Sequence, residues 1–273
     1  MDKQTFISFE NMHNFRDIGG FVLEDGHNMK LGAVFRSEDL SRMSTGDQDK
    51  LKELGIKCII DLRTPNERFS KPYEISGDTN MYIVHIPILC EEKDLSRWQF
   101  FCFLIREGRN LDFEQYMRRF YNRLAFDRTE QTKNILTLLS NERNVPALIH
   151  CTGGKDRTGL IAALLQLIMG VPRETVIQSY LASSKAIAYQ MKSIEKYIRW
   201  MSLGQVSPER IRPMLEVRKE YLEGTLNEIF HRYKSLDTYL TIGCGMDKCC
   251  LERLRKLLTE EGNSQAVAPV NHA

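Results

Sequence analysis

The sequence predicts an α/β fold, because compact apolar runs of strand length alternate with segments of helical pattern. Three such runs are CIIDL at 58–62, YIVHIPI at 82–88 and ALIHC at 147–151. Near-continuous apolar runs are typical of strands that are buried on both faces of a sheet. After residue 158 the pattern changes, and residues 173–260 are predicted to form successive helices without a clear strand.

Turn and capping signals define two of the early elements. An Asp-Gly dipeptide between two apolar runs predicts a β-hairpin within residues 21–35, because it supplies the positive φ that a tight turn needs. A helical pattern follows over residues 44–55, where Ser44 or Thr45 can cap the first turn and the final glycine can end the last. Strand and helix signals therefore alternate from the start of the chain.

The later part of the chain is predicted to be helical. Residues 159–170 are apolar almost all round, which is typical of a helix buried in a core, and Gly170 and Pro172 end it. A later helix carries one apolar stripe at helical spacing, formed by Ile187, Met191, Ile194, Ile198 and Met201. We expect a single domain over residues 1–260, followed by a flexible tail at 261–273.

Composition and charge restrict the class of protein. Apolar residues make up 42% of the 273 positions and charged residues 27%, which excludes a disordered chain. The 38 Lys and Arg residues against 36 Asp and Glu residues leave a net charge of +2, which gives no basis for nucleic-acid or membrane-surface binding. Seven cysteines without paired spacing favour a reducing compartment. The N-terminus lacks an apolar run of signal-peptide length, and the longest apolar stretch, residues 159–171, is far short of a membrane span. We therefore expect a soluble cytoplasmic protein without an integral membrane segment.

The most informative segment is HCTGGKDRTG, residues 150–159, between a predicted buried strand and a predicted helix. It is not a nucleotide-binding loop of the Walker type, which needs Gly at 149 and Ser or Thr at 156, where Ile149 and Asp156 stand. Its distinctive spacing is Cys151, then five residues, then Arg157. This spacing predicts a loop that binds a phosphate group at the start of a helix.

Each residue type in this loop suits one part of a phosphoryl-transfer site. Successive backbone N–H groups of a five-residue loop can converge on an anion, and Arg157 can grip two phosphoryl oxygens. Cys151 lies where these donors and the helix dipole stabilise a thiolate, which makes it the predicted nucleophile. Thr158 can donate to the sulfur, and His150 can orient the loop through backbone hydrogen bonds. The predicted phosphate-binding residues are Thr152, Gly153, Gly154, Lys155, Asp156 and Arg157.

The loop resembles the signature loop of cysteine-dependent phosphatases. Its Lys155-Asp156 pair resembles the atypical bacterial type related to tyrosine phosphatase B and its lipid-phosphatase relatives. A second match is NFRDIGG at 14–20, which resembles the N-terminal motif of that family. Further matches are VFRS at 34–37, IIDLR with Glu67-Arg68 at 59–68, and a C-terminal LERLRKLL helix. The resemblance spans residues 14–258, almost the whole chain.

The resemblance implies a central, mostly parallel sheet flanked by helices, with a helical lid that we place at residues 173–220. It also implies hydrolysis of phosphomonoesters through a phosphocysteine, without a metal or another cofactor. Phosphotyrosine on a protein is the expected substrate, with phosphoinositides and phosphoserine or phosphothreonine as alternatives. The competing interpretation is a catalytically silent phosphate-binding module. Arsenate reduction or sulfur transfer is disfavoured, because the low-molecular-weight relatives with that chemistry carry the loop near the N-terminus.

The leaving oxygen of a phosphomonoester needs a general acid, and an alkyl alcohol needs it more than a phenol does. The resemblance implies that Asp156 fills this role, with its carboxyl pointing out of the anion nest towards the leaving group. Many tyrosine phosphatases use an aspartate from an upstream loop instead. Asp127, Asp112 and Asp94 are the upstream candidates here, and none carries a distinguishing signal.

Several charged residues are expected to support the loop. Arg16, Asp17 and Arg36 fall in the family-like motifs and are expected to brace the phosphate loop from neighbouring segments. Asp61, at a strand end, is expected to hydrogen-bond either the loop or Arg63.

Two positive features are expected to attract anionic substrates. Lys155 adds a charge at the rim of the predicted pocket, where a phosphoinositide headgroup would offer additional phosphates. Residues 185–220 hold eight Lys and Arg against four Glu, a local charge of +4. We expect this basic part of the lid segment to favour anionic substrates, with a strength that depends on salt.

The C-terminal cysteines and two histidines are expected to have structural roles. Cys244, Cys249 and Cys250 lack the paired spacing of a zinc site, and no histidine accompanies them. His231 is distant in sequence, so core or surface thiols are expected. His85, in an apolar strand, is expected to be a core histidine. A redox alternative, a disulfide from Cys151 to Cys58 or Cys90, depends on distances that a sequence does not contain.

Overall fold

A five-stranded sheet forms the centre of the computed structural model. The structure describes residues 6–75, 80–89, 102, 106, 111–204 and 206–261, without the side chains of 189–194 and 208. The strands are β1 (Arg16–Asp17), β3 (Val34–Ser37), β4 (Cys58–Asp61), β5 (Tyr82–His85) and β6 (Ala147–His150), in the order β1-β3-β6-β4-β5. All neighbouring pairs are parallel except β1 with β3. The central, mostly parallel sheet is therefore confirmed, and the three predicted apolar runs supply β4, β5 and β6.

A second, two-stranded sheet joins the N-terminal region to the C-terminal end of the described chain. β2 (Asn28–Met29) pairs antiparallel with β7 (Thr259–Glu260). The prediction of no strand within residues 173–260 is therefore wrong at its last two positions, because a two-residue strand is too short to show a periodic pattern. The predicted hairpin is present in a short form, in which the Met29 N–H donates to Phe21 O at 2.8 Å across a turn containing Gly26 at φ +87°.

Helices cover both faces of the central sheet. They are α1 (Thr45–Glu53), α2 (Pro65–Ser70), α3 (Phe113–Phe126), α4 (Thr129–Leu139), α5 (Arg157–Met169), α6 (Arg173–Leu181), α7 (Ser183–Met201), α8 (Pro208–Leu215), α9 (Lys219–Tyr233) and α10 (Lys248–Leu258). Short helical turns lie at Glu142–Asn144, Leu236–Thr238 and Tyr239–Gly243. In the part of the chain described, no helix is both long and apolar enough to cross a membrane.

Capping residues set helix ends as the sequence predicts. The Ser44 side chain accepts from the Asp47 N–H and begins α1, and Gly55 follows its end at φ +67°. Gly170 closes α5 in the left-handed conformation, at φ +91°. Every residue of α5 except Leu167 is buried, which confirms the predicted all-round buried helix.

Two apolar clusters pack on opposite faces of the sheet. Ala147 and Ile149 of β6 belong to the larger cluster, which includes residues of α3, α5, α9 and α10. Leu148 points to the other face and joins a smaller cluster with Phe15 and with Leu51 of α1. This alternation is the period-two pattern of a strand buried on both sides.

Within the predicted lid segment, α7 and α8 pack against each other as a helical hairpin. Ile198 and Met201, from the predicted apolar stripe, pack with Ile211 of α8 and with Phe113 at the start of α3. Ile187, from the same stripe, is buried in the larger cluster, and the side chains of the other two stripe residues lie outside the described structure. The hairpin thus rests on α3 at one end and on the main core at the other.

Candidate active site

The HCTGGKDRTG segment forms a loop between the carboxyl end of β6 and the first residue of α5. β6 lies between β3 and β4, so segments that follow these parallel strands meet at one edge of the sheet. Cys151 directly follows β6 and is 2% exposed. The predicted nucleophile therefore lies at the base of the loop, next to the start of α5.

Donors from other segments bond three consecutive carbonyls of the loop. The Asp39 N–H donates to Thr152 O (3.1 Å), Asn14 Nδ2 to Gly153 O (3.2 Å) and Arg36 Nη2 to Gly154 O (2.6 Å). In a trans peptide the N–H points opposite to the C=O, so the N–H groups of residues 153–155 turn away from these donors. Consecutive N–H groups directed to one side of a loop form an anion nest.

The two glycines of the loop have different structural requirements. Gly154 has φ +64°, and a Cβ at this position would lie 2.4 Å from Ser37 O. Only glycine fits there, because both the backbone conformation and the contact exclude a side chain. At Gly153 a Cβ would meet only the Lys155 side chain, at 3.8 Å. Close packing of the loop on β3 therefore depends on Gly154 rather than on Gly153.

Arg157 is held by a carboxylate that the sequence did not assign to the site. Its Nη1 and Nη2 donate to the two oxygens of Glu67 at 2.6 and 2.7 Å, a bidentate ion pair. Glu67 also accepts from Thr152 Oγ1 (2.6 Å) and from the Thr64 N–H (2.9 Å). Burial disfavours the charged carboxylate, but the hydrogen bonds and charge of Arg157 outweigh it and lower the pKa of Glu67 to about 2. The guanidinium is therefore fixed in orientation beside the loop.

Asp156 is buried, and its carboxylate is directed to α3. Its Oδ1 accepts from Tyr121 Oη at 2.9 Å and from Lys155 Nζ at 2.9 Å. The Tyr121 hydroxyl also lies 2.6 Å from Tyr180 Oη. Burial and the Asp156 charge raise the pKa of Tyr121 well above its ordinary value, so this phenol stays protonated. The predicted general acid thus belongs to a buried group of two phenols, a lysine and a carboxylate.

The upstream aspartates differ from Asp156 in their surroundings. Asp112 is exposed and caps α3, since its side chain accepts from the Glu114 and Gln115 N–H groups at 3.0 Å. Asp127 is exposed at the other end of the same helix. Asp94 lies outside the described residues. Of the aspartates that the structure describes among the candidates, Asp156 is the one located in the loop.

Lys155 connects the loop to the α7–α8 hairpin. Its Nζ lies 3.1 Å from Met214 O and 3.4 Å from Glu216 O, at the end of α8, in addition to its ion pair with Asp156. The side chain is 13% exposed. The ammonium that the sequence placed at the pocket rim therefore also contacts the backbone at the end of α8, within the segment predicted to be a lid.

His150 and Asp61 lie behind the loop and are fully buried. The His150 Nε2 is 2.9 Å from Tyr73 Oη and 3.6 Å from Asp61 Oδ1. Burial lowers the pKa of His150 to about 4, so the ring is neutral at pH 7. Arg63 Nη2 donates to Asp61 Oδ2 at 2.9 Å. Of the two partners expected for Asp61, the loop and Arg63, the structure thus shows a hydrogen bond to Arg63.

Of the three charged residues expected to brace the loop, two are connected to it within the described residues and one is not. Arg16 contacts Asn14, whose amide bonds the loop, and Arg36 bonds the loop directly. Asp17 instead accepts from the Gly19 N–H at 2.8 Å and the Gly32 N–H at 2.5 Å, within its own N-terminal region. Burial raises the pKa of Asp17.

The hydroxyl of Thr158 does not bond the nucleophile in this structure. It is buried and, within the described part of the chain, has no hydrogen-bond partner. The predicted hydrogen bond to Cys151 is therefore absent in this state.

A disulfide between Cys58 and Cys151 is excluded by the strand register. Cys58 begins β4 and pairs with Ala147, four residues before Cys151. At about 3.3 Å per residue the two cysteines are about 13 Å apart, whereas a disulfide needs Cα atoms within about 7 Å. Cys90, the other redox candidate, lies outside the described residues.

The remaining candidates lie apart from the loop. His85 is half-buried and bonds Arg63 O through Nε2 at 2.6 Å. Cys244 and Cys250 are buried, while Cys249 and His231 are exposed. Among the residues described, no group of three or more His, Cys, Asp or Glu side chains is placed to hold a metal ion.

Sequence reasoning missed the partners that orient the predicted residues. Glu67 carries a visible signal, because Thr64 and Glu67 form a capping box at the start of α2, but that pattern does not show that the carboxylate faces Arg157. Tyr121 and Tyr180 give no local signal. Their contact with Asp156 arises only when α3, α6 and the loop pack together.

A family model described as "Tyrosine phosphatase family" matches residues 7–260. A Cupriavidus necator protein named "Putative tyrosine-protein phosphatase" is 27% identical over 234 residues, 86% of this chain and 82% of that protein. The triple specificity protein phosphatase PtpB of Mycobacterium tuberculosis is 28% identical over 271 residues, 90% of this chain and 96% of that protein.

Among solved structures, TpbA of P. aeruginosa is similar to this chain at 16% identity with a TM-score of 0.34, covering 66% of this chain and 89% of TpbA. The family assignment rests on the sequence matches instead. Since the family model spans most of the chain, the protein belongs to the tyrosine phosphatase family, hydrolases that act on phosphoric monoesters.

Proposed function

We propose that this phosphatase is a protein-tyrosine phosphatase that acts through a phosphocysteine on Cys151, without a metal. The observation that carries the proposal is the loop itself: three of its carbonyls bond outward, so that the successive N–H groups turn inward, where they can bind an anion next to Cys151. The Glu67 ion pair supports the assignment of Arg157 as phosphoryl ligand, because it fixes the guanidinium plane before substrate binds. The nest, Cys151 and Arg157 together suit phosphoryl transfer.

In the first step, the Cys151 thiolate attacks phosphorus from the side opposite the leaving group. The S–P bond forms as the bond from phosphorus to the ester oxygen breaks, while loop N–H groups and Arg157 hold the three remaining oxygens. The leaving oxygen takes a proton from Asp156 and departs as an alcohol or phenol.

In the second step, water attacks the phosphocysteine. Asp156, now a carboxylate, takes one proton from the water as the oxygen bonds to phosphorus, and Cys151 departs as a thiolate. Inorganic phosphate is released, and Asp156 carries the proton that the next leaving group needs. The ion pair with Lys155 is that of its carboxylate form, the form that acts as base in this second step.

The hydrogen bonds of Asp156 support its assignment as the acid and base. Tyr121 Oη and Lys155 Nζ both reach the same carboxylate oxygen, Oδ1. These contacts hold the side chain at one edge of the loop, beside Cys151 and Arg157. The exposed positions of Asp112 and Asp127 argue against a role for either in a site built around Cys151.

We propose phosphotyrosine as the main substrate, and phosphoserine, phosphothreonine and phosphoinositides as further ones. The M. tuberculosis relative is named for triple specificity, which makes a wider substrate range a reasonable test for this chain. We also propose that residues 173–220 form a lid. This segment contains the α7–α8 hairpin and contacts the loop through Lys155.

The test is phosphate release from a panel of phosphotyrosine and phosphoserine peptides and phosphoinositides, with and without a chelator. Cys151→Ser should abolish turnover, with a loss of about 10⁴-fold or more, and retain phosphate binding. Cys249→Ser, which removes an exposed thiol, should match the unmodified protein. A strong chelator effect, or full activity of Cys151→Ser, would contradict the thiolate mechanism. Phosphate binding without any turnover by the unmodified protein would favour a silent binding module.

A further inference from the structure

Two fully buried arginines lie behind the phosphate loop. Arg16 on β1 and Arg36 on β3 are directly opposite each other in the antiparallel pair, and they are 0% and 1% exposed. Like charges at directly opposed positions destabilise a sheet, and burial of a charge is costly unless an opposite charge compensates it. Such an arrangement persists only if it serves the surrounding structure or its ligand.

In the part of the chain that the structure describes, neither arginine has a carboxylate as a direct partner. Among the described residues, the hydrogen bonds of both go to backbone carbonyls, to the Asn14 amide and to the Ser183 hydroxyl, and the Nε atom of each is buried without a partner. Burial, and for Arg16 also the neighbouring charge of Arg36, lower the pKa of both guanidinium groups, that of Arg36 to about 10. Arg36 is therefore charged at pH 7.

The arginines connect the loop to the root of the lid helix. Arg36 Nη2 bonds Gly154 O at 2.6 Å and lies 3.4 Å from Ser183 Oγ, the first residue of α7. Arg16 Nη2 bonds the same hydroxyl at 2.7 Å, and its Nη1 bonds Asn14, which in turn bonds Gly153 O. The network therefore begins and ends on adjacent loop carbonyls.

Most other charges around the loop are paired locally. Arg157 pairs with Glu67, Lys155 with Asp156, and Arg63 with Asp61, while His150, Tyr121 and Tyr180 are neutral at pH 7. Glu38, a further buried carboxylate, acts on Arg16 and accepts the His13 and Asn14 N–H groups. Arg36, whose hydrogen bonds go to Gly154 O and Ser183 Oγ, places a positive charge behind the loop. Cys151, as a thiolate, supplies the negative charge that acts most strongly on Arg36.

We propose that Arg36, supported by Arg16, is a positioning residue that holds the loop carbonyls outward and favours the thiolate of Cys151 through buried positive charge. The proposal rests on the proposed function only in that Cys151 is the nucleophile. Arg36 does not touch the substrate; it acts through Gly154 and through the charge it places behind the sulfur. Arg16 reaches the loop only through Asn14, so its effect is expected to be smaller.

The test measures the rate of Cys151 alkylation by iodoacetamide against pH, with each cysteine resolved by mass spectrometry. Arg36→Met should raise the midpoint pH of Cys151 alkylation by about one unit, the effect of losing one nearby positive charge. Arg36→Lys should retain most of the original midpoint, and Arg16→Met should give a smaller rise. The exposed Cys249 in the same sample is the internal control, and its midpoint should not move.

A second variant separates charge from geometry. Asn14→Ala removes the bond to Gly153 O without changing charge. It should weaken protection of Cys151 by inorganic phosphate several-fold and leave the alkylation midpoint unchanged. If Arg36→Met does not fold, Arg16→Met, compared with Arg36→Lys, still reports the effect of charge, and Asn14→Ala still reports the effect of geometry.

A merely structural role predicts a different pattern. Arg36→Met would then lower the melting temperature, as Leu226→Ala in the core of α9 does, without moving the Cys151 midpoint. That result would overturn the inference while leaving the proposed function intact. The proposed function itself would fail on separate grounds, if Cys151→Ser retained turnover and the unmodified Cys151 alkylated with the same midpoint as Cys249.

Discussion

The phosphate loop and the far end of the α7–α8 hairpin are built in opposite ways. In the loop, Cys151, Asp156 and Arg157 are at most 4% exposed, and several segments hold the backbone between them. At the hairpin end, Trp200 and Leu203 are 72% and 71% exposed, and Leu203 has a positive φ of +50°. A site proposed to hold a phosphoryl group to within fractions of an ångström needs contacts on all sides, whereas the hairpin end packs one face on Phe113 of α3 and exposes the other.

The two regions are joined at the roots of the hairpin. Ser183, where α7 begins, bonds Arg16, and the carbonyls of Met214 and Glu216, where α8 ends, bond Lys155. α7 has 19 residues and is therefore about 28 Å long, so its far end is well separated from the loop. Changes in the loop are thus expected to have large effects, and changes at the hairpin end small ones.

The largest expected effect after loss of the nucleophile is that of Asp156→Asn. On an alkyl phosphate it should lower kcat by about 10²- to 10³-fold and remove the basic limb of the pH profile, because the leaving alcohol no longer receives a proton. On an aryl phosphate with a good leaving group the loss should be much smaller. Asp127→Asn, at the exposed end of α3, is the matched control. Loss in the control instead would assign the acid to the upstream aspartate.

Glu67→Gln should lower kcat/KM by about 10- to 100-fold, because Arg157 loses its bidentate partner and its fixed orientation. Glu24→Gln, at an exposed position, should leave kcat/KM unchanged.

The same ion pair gives a pH dependence of stability. The folded-state pKa of Glu67, about 2, lies below its ordinary value of 4.5, so its stabilising contribution is complete above pH 4.5 and lost as the pH falls towards 2. The difference in melting temperature between the unmodified protein and Glu67→Gln should therefore shrink across that range. A difference independent of pH would show that the ion pair does not contribute through its charge.

Gly154→Ala and Gly153→Ala form a matched pair within the loop. Alanine at 154 meets Ser37 O at 2.4 Å with φ +64°, so the free energy of unfolding should fall by about 1–3 kcal/mol. Alanine at 153 has room, and the change should stay within about 0.5 kcal/mol. Thermal or denaturant unfolding measures both. Equal losses would mean that the loop does not pack on β3 as described.

The smallest effect is expected at the hairpin end. Lys196→Glu combined with Arg199→Glu should lower kcat/KM for anionic substrates a few-fold at low salt and leave it unchanged at about 0.5 M salt, where exposed charges are screened. Arg253→Glu combined with Lys256→Glu, on α10, changes the net charge equally and should have no effect. If both pairs act alike, the basic lid segment has no specific role in attracting substrate.

Local pattern predicted most of the elements that frame the site. The apolar runs predict β4, β5 and β6, and the buried helix after the loop follows from its all-round apolar composition. The spacing of Cys151 and Arg157 indicated phosphate chemistry, because strand, loop and helix are consecutive in the chain. The strand at Thr259–Glu260 was missed, since its partner Asn28–Met29 lies more than 200 residues away.

What the sequence by itself predicted is the residue set of the loop and the strand and helix on either side of it, since these follow from short-range order along the chain. Only the tertiary structure decided which groups orient the loop residues. Three residues that hydrogen-bond the loop lie 35 to 118 positions from their partners: Glu67 bonds Arg157, Tyr121 bonds Asp156, and Arg36 bonds Gly154. The physical reason is that hydrogen bonds and charges act across space, and no local period records which distant side chains packing will bring together.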